Sequence, residues 1–256
     1  ELDEALALLR EHGGDARVLA GGQSLVAMLN MRLLSPRVLV DITRIEALNF
    51  VTVQDSELRI GASVTQAALL SWPGLATVQP LLAMMLPWVG HYQTRMRGTV
   101  CGSIAHNDPS SELPLALALL GGQLELTSAS GTRRIDAANF QTGPMMTALA
   151  DDELIVGARF PVSPDSHPVR FAFREVSQRA GDFALAAFAA RASQDGTQIA
   201  IGGIADTPIV FNMVRAGAID EQLNALAWQI GARDDAHATA RFRRGFVRNI
   251  GAKVIR

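Results

Sequence analysis

Residues 18–41 read VLAGGQSLVAMLNMRLLSPRVLVD. Val18-Leu19-Ala20 and Val38-Leu39-Val40 are short apolar runs and read as buried strands, the second ending at Asp41. Between them stand a glycine turn, Gly21-Gly22-Gln23-Ser24, and a stretch of helical character over residues 25–34. The order strand, turn, helix, strand predicts a small βαβ unit. A glycine turn that leaves a strand and enters a helix presents free N–H groups and the positive end of the helix dipole, a setting for a pyrophosphate or another anion. The same residues also fit a plain tight turn with Ser24 as N-cap. The motif is neither G-x-G-x-x-G nor G-x-x-x-x-G-K-[ST], so Rossmann and P-loop readings lack sequence support.

Upstream, residues 2–11 carry apolar side chains at helical spacing, and His12-Gly13-Gly14 ends the pattern. Downstream, residues 50–61 alternate and predict a hairpin, with Ser63 or Thr65 placed to cap the next helix. Residues 60–94 contain no Asp, Glu, Lys or Arg. Pro73, Pro80 and Pro87 interrupt this stretch, and Gln66, Ser71, Thr77 and Gln79 make it polar, which excludes a membrane span. It reads as two core-facing helices beside a buried site. Residues 112–120 predict a helix, and residues 123–127 and 132–135 a hairpin turning at Ser130-Gly131. Leu154-Ile155-Val156 begins a strand that Pro161 ends, and Pro161, Pro164 and Pro168 form a linker candidate. Segments 184–191 and 198–204 follow, then a helix-rich end from about Ile219. Helices and strands mix without regular βα alternation, which predicts an α+β fold.

The chain has 256 residues, 48% of them hydrophobic, enough for a large core in one or two domains and too apolar for a disordered chain. A net charge of −2 gives no nucleic-acid surface. One cysteine among 256 residues excludes an internal disulfide framework and a four-cysteine iron–sulfur centre. Lys253 is the only lysine among 23 basic residues, which argues against Schiff-base chemistry and a Walker lysine. No signal peptide is visible in a sequence that begins at Glu1.

Two further segments can carry chemistry. Residues 95–112, RMRGTVCGSIAHNDPSSE, combine small Gly98, Gly102 and Ser103 with the hydrogen-bonding side chains of Thr99, His106, Asn107 and Asp108. They read as a loop around a polar ligand, with Asp108 and Glu112 able to accept from ribose or ribityl hydroxyls. A solvated loop in which Asp108-Pro109 caps the next helix fits equally. Residues 173–184, FREVSQRAGDFA, bring Arg174, Arg179 and Asp182 close together, as a site or as a surface ion-pair face. His12, His91, His106, His167 and His237 show no metal spacing, and no G-x-S-x-G elbow occurs. Cys101 reads as a small packed residue and Tyr92 as structural.

Taken together, AGGQSLVAMLNMRL with the following LVDI, RGTVCGSIAHNDPSSELP, FREVSQRAGDFA and the C-terminal DDAHATARFRRG resemble one family across nearly the whole chain. It is the FAD-binding medium subunit of molybdenum hydroxylases, as in carbon monoxide dehydrogenase and xanthine dehydrogenase. The resemblance implies a two-lobed PCMH-type FAD domain over residues 1–165, with lobes of about 1–50 and 51–165, and a smaller α+β domain over 166–256. It implies that Val18, Leu19, Ala20, Gly21, Gly22, Gln23, Ser24 and Leu25 take the FAD pyrophosphate. It places Thr99, Val100, Cys101, Gly102 and Ser103 on the flavin side, and Asp108, Glu112, Ile155 and Arg174 at further FAD-lining positions. No residue is assigned acid–base catalysis and none a metal.

The function it implies is an oxidoreductase subunit that takes electrons from [2Fe–2S] clusters on a small subunit and passes them from FAD to an external acceptor. Molybdopterin would sit in a large subunit, the assembly would be a dimer of heterotrimers, and the location would be the cytoplasm. A flavin-free scaffold module and a stand-alone PCMH flavoenzyme are the alternatives. Two positions depart from the family pattern: Met96 replaces an asparagine and Cys101 a glycine. If the residue at 101 needs a positive φ, a cysteine there costs on the order of 1 kcal/mol and shifts the flavin loop.

Overall fold

The computed structural model describes residues 1–162, 169–214 and 217–255. Helix α1 (Leu2–His12) buries Ala5, Leu6 and Leu9 and stops at Gly13, whose φ is 48°. Strand β1 (Ala16–Leu19), helix α2 (Leu25–Asn30) and strand β2 (Val38–Asp41) follow, and β1 pairs parallel to β2 with Ala16 opposite Val38. The expected βαβ unit is present. Its helix is shorter than expected, because Arg32 turns to φ 57° directly after the Met31 cap.

Strands β3 (Val51–Gln54) and β4 (Glu57–Gly61) form the expected hairpin. Asp55 and Ser56 both adopt positive φ, 53° and 59°, the backbone twist a two-residue turn requires. The uncharged stretch forms three short α-helices rather than two, α3 (Gln66–Leu70), α4 (Leu75–Val78) and α5 (Pro80–Met85), then a 3-10 turn over Leu86–Trp88, and it runs into α6 (Tyr92–Arg97). Gly74 at φ 91° and Pro80 at a helix start are the punctuation that divides it. Thr65, not Ser63, caps α3, its hydroxyl accepting from the Ala68 N–H at 3.1 Å.

Helices α7 (Val100–His106) and α8 (Glu112–Leu120) lead to strands β5 (Gln123–Ser128) and β6 (Gly131–Asp136). Short α9 (Ala137–Phe140), β7 (Gln141–Gly143) and β8 (Met146–Thr147) precede β9 (Leu154–Pro161). An antiparallel sheet runs in the order β3-β4-β9-β5-β6. In β9 the buried Arg159 bridges Glu57 at 2.6 Å and Glu125 at 2.8 Å, so the charge in this central strand is paired on both sides.

The C-terminal part is a second antiparallel sheet, β10 (Arg170–Val176), β11 (Ala186–Ser193), β12 (Gly196–Gly202) and β13 (Ile209–Met213), followed by α10 (Ile219–Gln229) and α11 (Ala240–Ile255). Alternation along β11 serves two cores. Ala187 and Ala189 face the first core, which α8 enters, and Ala186, Phe188 and Ala190 face the second, with Leu223, Leu226 and Phe246. Methyl side chains on the first face let this sheet approach α8 closely, and the Gly203 N–H reaches the Pro109 carbonyl at 2.7 Å. The fold is α+β, as the mixed order of elements predicted. Pro164 and Pro168 of the expected linker, and the expected boundary between 165 and 166, lie outside the described residues.

Candidate functional site

The βαβ turn and the start of α7 pack directly on each other. A Cβ placed on Gly21 would overlap the Arg97 carbonyl and come within 2.7 Å of the Gly98 Cα, so only glycine allows this backbone contact. Gly22 has φ 72°, and the Val26 N–H donates to its carbonyl at 3.0 Å, starting α2. Ser24 occupies the N-cap position of α2, as expected, but its backbone is already helical and its side chain makes no cap hydrogen bond.

Residues 99–106 form a helix start rather than the expected loop. Thr99 is extended, with φ −94° and ψ 158°, and its Oγ1 accepts from the Gly102 N–H at 3.0 Å. Small residues that look loop-like in sequence here allow tight packing: a Cβ on Gly102 would stand 2.6 Å from Thr99 Oγ1. Gln66 joins the two layers. Its backbone N–H donates to the Gly98 carbonyl at 2.8 Å and its Nε2 to the Thr99 carbonyl at 3.4 Å. Its Oε1 has no partner among the described residues, although the residue is only 4% exposed. A buried acceptor without a donor is costly unless a ligand supplies one.

These elements enclose a cleft of about 550 Å³, within the range of cofactor sites. Of the expected residues, Val18, Ala20, Gly21, Gly22, Gln23, Ser24, Leu25, Thr99, Cys101, Gly102, Ser103, Glu112 and Ile155 line it. Leu19, Val100, Asp108 and Arg174 do not. Val100 is fully buried in the core. Asp108 Oδ1 accepts from the Ser110 N–H at 2.8 Å in a local turn, so Asp108 does not cap α8; the N-cap of α8 is Ser111. Arg174 donates to its neighbour's carbonyl, Phe173 O, at 2.9 Å.

Glu112 lies in the first turn of α8 and is 4% exposed. Burial pushes its carboxyl up to about 7, with the charge of Asp108 adding to the shift. Glu175 in β10 is pushed up to about 8, first by burial and then by the charge of Glu112. A half-protonated carboxyl can both donate to and accept from a hydroxyl-rich ligand.

Neither departure from the family pattern disturbs the cleft. Met96 is exposed on α6 and does not line it. Cys101 is helical, so no left-handed strain arises, which corrects the expected cost. Its Sγ points to the Ile60 carbonyl at 3.8 Å, and burial pushes the thiol up to about 12.

Several lining residues were not anticipated. The third segment contributes Gly181 and Phe183 along with Asp182, in place of Arg174. Gly181 has φ 87° and packs against the His91 ring, a role only its glycine hinted at in sequence. Gln66 comes from α3, beside the Gly98 of the second segment, and Met145 and Leu149 from the segment after α9. They meet the glycine turns only through tertiary contact. Among the described residues no group of three or more His, Cys, Asp or Glu is arranged to hold a metal.

Residues 1–163 match the family described as the FAD binding domain in molybdopterin dehydrogenase. The chain is 32% identical over 255 residues to the nicotine 6-hydroxylase medium subunit of Paenarthrobacter nicotinovorans, covering 94% of this chain and 89% of that one. It is 33% identical to the glyceraldehyde dehydrogenase medium chain of Sulfolobus acidocaldarius, covering 100% and 94%. In structure it superposes on a chain of carbon monoxide dehydrogenase from Hydrogenophaga pseudoflava, a form lacking the Mo-pyranopterin moiety of its cofactor. That match has a TM-score of 0.91 at 28% identity and covers 98% of this chain and 92% of that one.

Proposed function

The chain belongs to the FAD-binding family of molybdopterin dehydrogenases and is the FAD-binding medium subunit of a molybdenum hydroxylase-type oxidoreductase, and on that premise we propose that it is the electron-transfer subunit of its complex. When bound, FAD would supply redox chemistry between the [2Fe–2S] clusters of a small partner subunit and an external acceptor. The substrate would be hydroxylated at molybdopterin in a large partner subunit, in a dimer of heterotrimers located in the cytoplasm. One cysteine in the chain supports electron supply from outside it, since four are needed for a cluster.

The observation that carries the reading is the contact of two glycine segments around a cleft with an orphaned buried acceptor. In this reading the N–H groups of residues 21–24 take the pyrophosphate, because they lie free at the start of α2. Gln66 Oε1 takes a donor from the cofactor, and Glu112 binds its hydroxyls. Residues 1–165 form the flavin domain and 166–256 the domain that backs α8. Nothing about Met96 or Cys101 favours a flavin-free scaffold, since neither side chain opens the cleft. The test is the absorbance of the purified protein: a flavin spectrum near one FAD per chain is expected, and its absence from both the chain and its complex overturns the reading.

A further inference from the structure

One residue ties the β7–β8 hairpin to the cleft. Asn107 follows α7 in the left-handed region, with φ 50° and ψ 43°, and its side chain is buried at 1% exposure. Its Nδ2 donates to the carbonyls of Gly143 and Met146, each at 2.9 Å. Its own carbonyl accepts from the Met145 N–H at 3.0 Å. Both hydrogens of the amide are therefore committed to one short turn. That turn is held in an uncommon shape, since Met145 has φ 54°. A strained turn needs an external tether to persist.

The consequence falls on two neighbouring methionines. Met145 lines the cleft while 57% exposed, and Met146, 61% exposed, does not line it. A thioether is polarizable and packs well on aromatic rings, which both ends of a flavin dinucleotide present.

We propose that Asn107 is a positioning residue for the cofactor: through its three hydrogen bonds to residues 143–146 it holds Met145 as the wall that packs against the bound flavin nucleotide. The inference rests on the FAD reading of the cleft and names the residue that sets one of its walls. Met145 acts on the ligand, and Asn107 acts only through Met145.

Adjacent methionines provide an internal control. Hydrogen peroxide converts exposed methionine to its sulfoxide, and mass spectrometry resolves the two positions. The protein as purified is compared with and without FAD, and flavin absorbance is read in the same samples. FAD is expected to lower oxidation of Met145 relative to Met146 by roughly threefold or more. In Asn107→Gly, which keeps the left-handed backbone but lacks the amide, the protection disappears at saturating FAD. FAD affinity of that variant falls by roughly tenfold, because the untethered turn must be ordered on binding. Met145→Ala, a change at an exposed side chain, also weakens FAD binding, and Met146→Ala does not. Equal protection of both methionines by bound FAD overturns the proposal, as does unaltered protection in Asn107→Gly. Absence of flavin absorbance from every sample instead overturns the FAD reading, and the proposal falls with it.

Discussion

Glu112 in the first turn of α8 and Glu175 in β10 are both buried carboxyls, and Glu175 holds its proton first because of burial and then because of the charge of Glu112. Among the described residues Glu175 Oε2 has no hydrogen-bond partner. The pair links the cleft to the C-terminal sheet, because Glu112 lines the cleft and Glu175 stands opposite Ala187 in β11.

This pairing has a direction in pH. Both groups titrate higher in the fold than in the unfolded chain, about 7 and about 8 against 4.5. Their contribution is fully present below pH 4.5 and is lost as pH rises through 7 to 8, where the fold must ionise buried carboxyls. The melting temperature is expected to fall between pH 5 and pH 8.5, and Glu175→Gln to flatten that fall and raise the midpoint at pH 8 by about 5 °C. Thermal scans of both proteins across this range check it; equal slopes would sink the assignment.

Gly21 and Gly22 differ in the reason for their identity. Gly21→Ala drives a methyl into the Arg97 carbonyl, a backbone atom with nowhere to go. It is expected to lower stability by about 2–3 kcal/mol, as overpacking does, and to abolish flavin retention. Gly22→Ala meets only the side chains of Val26 and Leu19, at 3.1 Å and 3.3 Å, with φ at 72°. It is expected to cost about 1 kcal/mol. Urea denaturation and flavin stoichiometry, measured in parallel, separate the two.

Gln66→Met tests whether the orphaned acceptor belongs to a ligand. The substitution removes a buried oxygen that no donor among the described residues meets. The Thr99 carbonyl also loses the Gln66 Nε2 donor at 3.4 Å, so stability without FAD is expected to change by no more than about 1 kcal/mol, while FAD binding weakens by about tenfold, the worth of one hydrogen bond. Titration of the FAD-stripped variant gives the affinity, and a loss of stability without change in affinity would refute the role.

Cys101 is expected to be silent chemically. Its thiol is buried and its proton is held to about pH 12, and the thiolate is the reactive form. A maleimide probe at pH 8 should label less than a tenth as fast as in the urea-unfolded chain, on the order of the unfolding equilibrium or slower. Fast labelling in the native state would contradict the buried, protonated thiol.

The βαβ unit was legible because its signals are local: two apolar runs, a glycine pair and a helical stretch within residues 18–41. The β3–β4 hairpin was legible from alternation for the same reason. The start of α7 was not. Thr99, Gly102 and Ser103 are residues of turns in most contexts, and their helical role depends on the Thr99 cap and on packing against Ala20, 3.9 Å from a Cβ at Gly102. In the third segment the family resemblance points to Arg174, whereas Gly181, Asp182 and Phe183 line the cleft, because a motif match carries no information on the direction of a strand residue.

By itself, then, the sequence determined the α+β class, both glycine segments and the absence of cluster-forming cysteines. Those depend on residue type and short spacing. Tertiary structure decided that Gly21 rests on Arg97 and Gly98, that Gln66 has an acceptor to offer, that Cys101 faces the core, and that Asn107 reaches across 36 residues to Gly143. These are contacts between segments distant in the chain. Their geometry is set by how layers pack, and no local pattern records it.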